Sequence, residues 1–145
     1  MKPPRGFEPV KDAKDVILPA RATSLSAGYD FFCPVNKVVP PHKTVFVTTN
    51  VKAFMQPDEV LQIYVRSSLA TKRNIVLRNG VAIIDADFYG NQLNDGNIVI
   101  PLYNDGDTQY LIKKHERFAQ GIFVKFLSSD DSVHTLRRGG FGSTG

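Results

Sequence analysis

Three short stretches of this chain carry residue types that could work on a phosphate ester. Arg66-Ser67-Ser68-Leu69-Ala70 joins a guanidinium to two hydroxyls, where an apolar run gives way to a helical pattern. Backbone N–H groups at such a junction attract anions, and the side chains add donors. The stretch reads either as a phosphate cradle or as an ordinary helix start, capped by serine, beside a surface arginine. Ile83-Ile84-Asp85-Ala86-Asp87-Phe88-Tyr89-Gly90 sets a carboxylate directly after an apolar pair. At the edge of a dry site Asp85 could orient water and take its proton. Asp85 and Asp87 could equally be turn-formers. The last nine residues, RRGGFGSTG, hold four glycines, one aromatic and two hydroxyls. They lack the Lys-Ser/Thr ending of a Walker A loop and precede no helix, so that motif is rejected. The segment is either a loose tail or an arm that closes over a base and a phosphate.

The remaining candidates are weaker. His42, His115 and His134 lie far apart without metal-ligand spacing and read as surface or packing residues. Cys33 is the sole cysteine, so no intramolecular disulfide can form and a reducing cytoplasm is the natural setting. After Phe31-Phe32 it reads as a small core residue. The first residues, MKPPRGFEPVKDAK, have no apolar segment of the secretory kind. No apolar run approaches the roughly 20 residues of a membrane helix. A formal charge of +4 is too weak to argue for nucleic-acid binding, but it suits a small polyanion if the positive charges converge.

The elements that must position these residues are mostly strands. With 145 residues the chain can bury a core as one domain. Apolar patterns of strand type cover Thr44–Val51, Val60–Val65, Ile98–Tyr103 and Gly121–Leu127. In Val60–Val65 the residues Leu61, Ile63 and Val65 share a face; in Gly121–Leu127 Ile122, Val124 and Phe126 do. Pro40-Pro41, Gln56-Pro57-Asp58, Asn94-Asp95-Gly96 and Asn104-Asp105-Gly106 mark turns. Pro101 within an apolar run predicts an edge strand or a bulge. One short helix is expected from Ser67 or Ser68 through Lys72. Closely spaced strands with one helix predict an all-β sandwich or barrel.

Five segments together resemble the motifs of the trimeric dUTPases, in order and from about Leu18 to the last residue. They are Ala27-Gly28-Tyr29-Asp30; Arg66 through Ala70; Asn79 through Gly90; Asn104-Asp105-Gly106 with Glu116-Arg117-Phe118-Ala119-Gln120; and Gly139 through Gly145. The resemblance implies a distorted, jelly-roll-like β-barrel, with a catalytic body over 1–135 and a flexible tail over 136–145. It implies hydrolysis of dUTP to dUMP and pyrophosphate with Mg²⁺. Asp85 would be the base that activates water for attack on the α-phosphorus. Arg66, Ser67, Ser68 and Gln120 would hold phosphates, and Asp30 the metal's water shell. Asn79 and a Gly80–Asp85 hairpin would read uracil, and Phe88 would lie under the deoxyribose. From the tail, Arg137 would serve as the phosphate ligand ahead of Arg138, Phe141 would stack on the base, and Ser143 and Thr144 would bond the terminal phosphate. The resemblance further implies a homotrimer in which the tail swings onto another subunit's site.

The chain departs from the family pattern in places. Phe88 stands where tyrosine is usual, Ala82 and His115 stand where glycine is common, and Gln92–Asn97 lengthens the loop after the third motif. A dCTP deaminase, a relative with a similar second motif, needs a catalytic glutamate. The corresponding stretch, Ile98 through Tyr103, has no acid. A phage-type dUTPase with a second, regulatory protein-binding role is the alternative. A β-rich capsid or adhesion module would explain the strands but not the motifs.

Overall fold

The computed structural model describes residues 1–129 and 136–142. Eleven strands are β1 (Gly6–Pro9), β2 (Tyr29–Phe32), β3 (Lys37–Val39), β4 (Thr44–Thr48), β5 (Val51–Phe54), β6 (Glu59–Val65), β7 (Ile75–Leu77), β8 (Ala82–Asp85), β9 (Val99–Asn104), β10 (Tyr110–Ile112) and β11 (Arg117–Lys125). A single α-helix, α1 (Ser67–Arg73), follows β6, and a 3-10 turn over Ala86–Phe88 follows β8. The strands form four small sheets, ordered β2-β11-β6-β8, β4-β9-β7, β1-β5 and β3-β10. The layers wrap one apolar core without a ladder that closes them into a barrel among the described residues.

Alternation on β6 sends Leu61 and Ile63 into that core, where Phe31, Phe118, Ile100 and Leu102 meet them. The first strand is held by its one aromatic. Phe7 packs on Tyr29, Phe31 and Phe123 with ring centroids 5.4–5.6 Å apart, separations at which aromatic pairs attract beyond simple burial. Cys33 is fully buried, as a small core residue should be, and burial pushes its thiol up. No helix of the described residues is long and apolar enough to cross a membrane, which says nothing of strands.

Three expectations fail for local reasons. The run Thr44–Val51 is two strands, because Asn50 turns left-handed at φ +62°. The Thr49 hydroxyl donates to the Ile98 carbonyl at 2.7 Å and accepts from the Val51 N–H, which draws the backbone off the ladder. Pro101 lies in the central strand of its sheet, not at an edge. Its carbonyl accepts from the Arg78 N–H at 2.9 Å, so its missing N–H falls on the same side, just beyond Leu77 where β7 ends. No serine caps α1: the N-cap is Arg66, with no side-chain capping bond, and Ser67 and Ser68 begin the helix itself. Val124 on β11 and Phe126 just beyond it are exposed, as residues sharing a face can be, while Phe123 packs against the core.

Candidate functional site

The third-motif residues surround a cavity of about 300 Å³, bounded by Asn79, Ala82, Asp85 and Phe88 from the body and by Arg137 and Phe141 from the tail. Between β7 and β8 the chain reverses over four residues. The Gly80 N–H donates to Leu77 O at 3.0 Å, and Gly80 sits at φ +76°, a conformation glycine adopts without strain. The hairpin expected here is a turn between sheets, because β7 pairs with β9 and β8 with β6. Asn79, Val81 and Ala82 line the cavity from this turn, and no ladder joins β7 to β8 across it.

Asp85 ends β8 and starts the 3-10 turn in an extended conformation, with no capping bond of its own, so its carboxylate reaches the cavity rim instead of the turn. Its side chain is 45% exposed. The 3-10 turn rotates Phe88 inward, where it is 9% exposed and touches the tail at Gly140. Tyr89 turns the opposite way. Its hydroxyl donates to Glu8 Oε1 on β1 at 2.5 Å, which pushes the phenol up to about 12 and draws the Glu8 carboxyl down. Phe88 thus serves the cavity, and Tyr89 bolts the motif to the first strand.

The tail crosses this cavity. Arg137 donates to Asp85 through Nη2, to Asp87 Oδ1 through Nε at 2.7 Å, and to Gly139 O through Nη1 at 2.9 Å. Two carboxylates two residues apart suit the guanidinium fork, and they hold the tail on its own chain's cavity. Arg138 offers the loop only its carbonyl, which accepts from the Leu93 N–H at 3.3 Å. Phe141 is 74% exposed and meets Phe46 edge-on at 6.3 Å. Ser143 and Thr144 lie outside the described residues.

The other expected site residues gather elsewhere. Gln120 on β11 lies between Asp30 on β2 and Tyr64 on β6. The Arg66 N–H donates to Phe118 O at 3.1 Å, which brings the start of α1 to the same end of the sheet. The Gln120 side chain packs against bare Gly28, where a Cβ would fall 2.4 Å from Oε1. Arg117 approaches Asp30 at 3.8 Å. Asp85, by contrast, pairs with Val60 at the far end of β6. Arg66 is six residues further along, about 20 Å at roughly 3.3 Å per residue. Asp30 is three strands across and four residues along, again about 20 Å from Asp85. The residues expected at one site thus fall into two groups, here called half-sites: Asn79, Asp85, Phe88 and the tail in one, Asp30, Arg66, Ser67, Ser68 and Gln120 in the other.

Sequence reasoning missed three residues that shape the first half-site. Asn94 and Asn97 line the cavity, and Phe46 backs Phe141. The asparagines carried only a turn signal, and Phe46 looked like any strand residue. His115 takes a left-handed turn at φ +71°.

The dUTPase family model matches residues 14–145. The deoxyuridine 5'-triphosphate nucleotidohydrolase of Lactococcus lactis is 40% identical, with 97% of each chain covered. That of Arabidopsis thaliana is 32% identical over 96% of this chain and 82% of its own length. The crystal structure of the Streptococcus mutans dUTPase superposes with a TM-score of 0.81 at 38% identity, covering 87% of this chain and 99% of that one. The dUTPase of phage phi11 of S. aureus, whose structure shows a structural Mg(II) ion, superposes at 0.73 over 90% of this chain and 95% of its own. At 18% identity it shares the fold alone.

Proposed function

The chain belongs to the dUTPase family, and from that membership we infer that it is a dUTP diphosphatase, hydrolysing dUTP to dUMP and pyrophosphate. The reaction removes dUTP from the precursors of DNA and supplies dUMP for thymidylate synthesis. The observation that carries the mechanism is the cavity with Asp85 on its rim and an unladdered backbone turn opposite.

Uracil enters the turn beside Asn79, whose amide and neighbouring backbone groups match its edge. Cytosine would present a donor to a donor, and the thymine methyl would meet the turn. Phe88 supports the deoxyribose and leaves no room for a 2′-hydroxyl. Asp85 holds a water against the α-phosphorus and takes its proton as the water oxygen bonds to phosphorus. The bond from the α-phosphorus to the bridging oxygen breaks, and pyrophosphate leaves. Arg137 passes from Asp85 to the phosphates as substrate arrives, freeing the carboxylate for water and offsetting the charge that develops. Phe141 then stacks on the base, and Ser143 and Thr144 bond the terminal phosphate.

Arg66, Ser67, Ser68 and Gln120 hold the phosphates in this reading, although they lie about 20 Å from Asp85 on the same chain. The site is therefore completed by a second copy, and a homotrimer closes such a head-to-tail arrangement. Asp30 would help hold Mg²⁺ through its bound waters. Among the described residues no three His, Cys, Asp or Glu gather into a metal cage. One carboxylate beside substrate phosphates fits an ion that keeps most of its waters. Mg²⁺ supplies charge neutralisation of the triphosphate when bound. The sole cysteine, Cys33, fits a reducing cytoplasm.

The testing experiment is pyrophosphate release from dUTP, dCTP, dTTP and UTP with Mg²⁺ present. Hydrolysis of dUTP with the other three rejected by large factors is expected. Comparable turnover of UTP would overturn the role given to Phe88, and no turnover of dUTP would overturn the function.

A further inference from the structure

The lengthened loop between the 3-10 turn and β9 has no role in the mechanism above, yet it is among the most tightly braced segments of the fold. Buried Asn91 organises it. Its Oδ1 accepts from the N–H groups of Leu93 and Asn94 at 3.0 and 3.1 Å, and its Nδ2 donates to Phe88 O and Asn94 Oδ1. The Asn94 amide bonds the N–H of Gly96 and the carbonyl of Asn97. Asp95 ties the loop to the body. One carboxylate oxygen accepts from Lys52 Nζ and from the Lys11 N–H, each at 2.8 Å, which draws the carboxyl below its ordinary value. Gly96 presses on the Phe88–Gly90 backbone so closely that a Cβ would fall 3.0 Å from three of its atoms.

A loop with every turn satisfied would be expected to turn its one large apolar residue inward. Leu93 instead points out and is 69% exposed. Its contacts are with the tail. Its N–H also reaches Arg138 O at 3.3 Å, and its side chain lies where a Cβ on Gly139 would fall, 2.4 Å from Leu93 Cδ1. Gly139 is buried. Its neighbours Arg137 and Gly140 are the residues that meet Asp85 and Phe88.

We propose that the Gln92–Asn97 loop is a docking cleat for the tail, and that Leu93 is a positioning residue that sets where Arg137 and Phe141 land. The cleat is built before the tail arrives, so docking orders one partner and not two, which lowers its entropic cost. Leu93 receives whichever tail reaches the cavity, its own chain's or a neighbour's. The kinetic part rests on the dUTPase reading; the contact itself does not.

The experiment follows the tail directly. Trypsin cleavage after Arg137 and Arg138 in the folded full-length protein is timed by mass spectrometry, first without nucleotide and then with Mg²⁺ and a non-hydrolysable α,β-imido analogue of dUTP. Leu93→Ala removes apolar contact, and Leu93→Lys places a cation beside two arginines. Cleavage should accelerate about threefold in the first and about tenfold in the second, from the lost apolar contact and the added like charge. The thermal midpoint of a chain lacking 137–145 should not change on Leu93→Ala. Unchanged tail cleavage in both variants would overturn the proposal, as would an equal loss of midpoint with and without the tail, since that marks a loop residue serving only the fold. If the wild-type protein fails to hydrolyse dUTP, the nucleotide-free cleavage rates still decide the contact.

Discussion

Separating Asp85 from Arg66 along β6 makes a quantitative demand on the active enzyme. Val60 opposes Asp85, and Arg66 lies six residues beyond, about 20 Å away at roughly 3.3 Å per residue. A water held by Asp85 must touch the α-phosphorus while Arg66 bonds a phosphate oxygen of the same substrate, each at hydrogen-bonding range of about 3 Å. A triphosphate does not bridge both within one chain, so the two residues must come from different copies. Asp85→Asn and Arg66→Ala proteins should each be inactive alone, the first without a base and the second without its guanidinium. Mixed in equal amounts and allowed to exchange, half of the chains carry Asp85 and half carry Arg66. A site drawing the two from different chains is intact with a probability of one half times one half, so about a quarter of wild-type activity returns at random assembly. Across mixing ratios the recovery should follow a parabola with its maximum at equal amounts. The assay is pyrophosphate release, with native mass spectrometry showing that hybrids have formed. Zero recovery in a mixture proven to contain hybrids would refute the inference that the half-sites meet between chains.

Asp85→Asn should keep the fold and lose about 10²–10⁴ in kcat, because an amide cannot take a proton from water; near-normal turnover would move the base to Asp87. Phe88 is both cavity wall and core, so Phe88→Ala should cost about 3 kcal/mol of stability in a denaturant titration as well as raising relative activity on UTP. The Glu8–Tyr89 bond should confer stability within a pH window. Glu8 is lowered from its ordinary 4.5, so its share is full above that value and is lost as pH falls through the lowered one. Tyr89 is raised from 10 to about 12, so its share is full below 10 and fades as pH climbs through 12. Tyr89→Phe should flatten both limbs of a melting-temperature profile, and a profile unchanged by the substitution would sink this assignment.

Much of the chemistry was legible in the order of residues. The carboxylate at 85, the second-motif arginine and serines, and the glycine tail each combine types whose donors and acceptors suit phosphate or water, and their spacing resembled one family. Strand alternation in Val60–Val65 was equally legible, because period two puts Leu61 and Ile63 on one face whatever the neighbours are. The turn at Asn50 and the central placement of Pro101 were not. Both depend on which strand lies alongside: Ile98 offers the carbonyl that draws Thr49 away, and β7 ends where the proline lacks its N–H. Which of Arg137 and Arg138 lies at the cavity likewise needed the tail's path, which brings Arg137 to two carboxylates. Above all, a linear string placed Asp85 and Arg66 nineteen residues apart with nothing to say how far apart they stand. Folding lays them at opposite ends of a stiff strand pair, because β6 must extend fully to fill the core with Leu61 and Ile63. The sequence supplied the candidate groups, and only the tertiary structure set them about 20 Å apart within one chain.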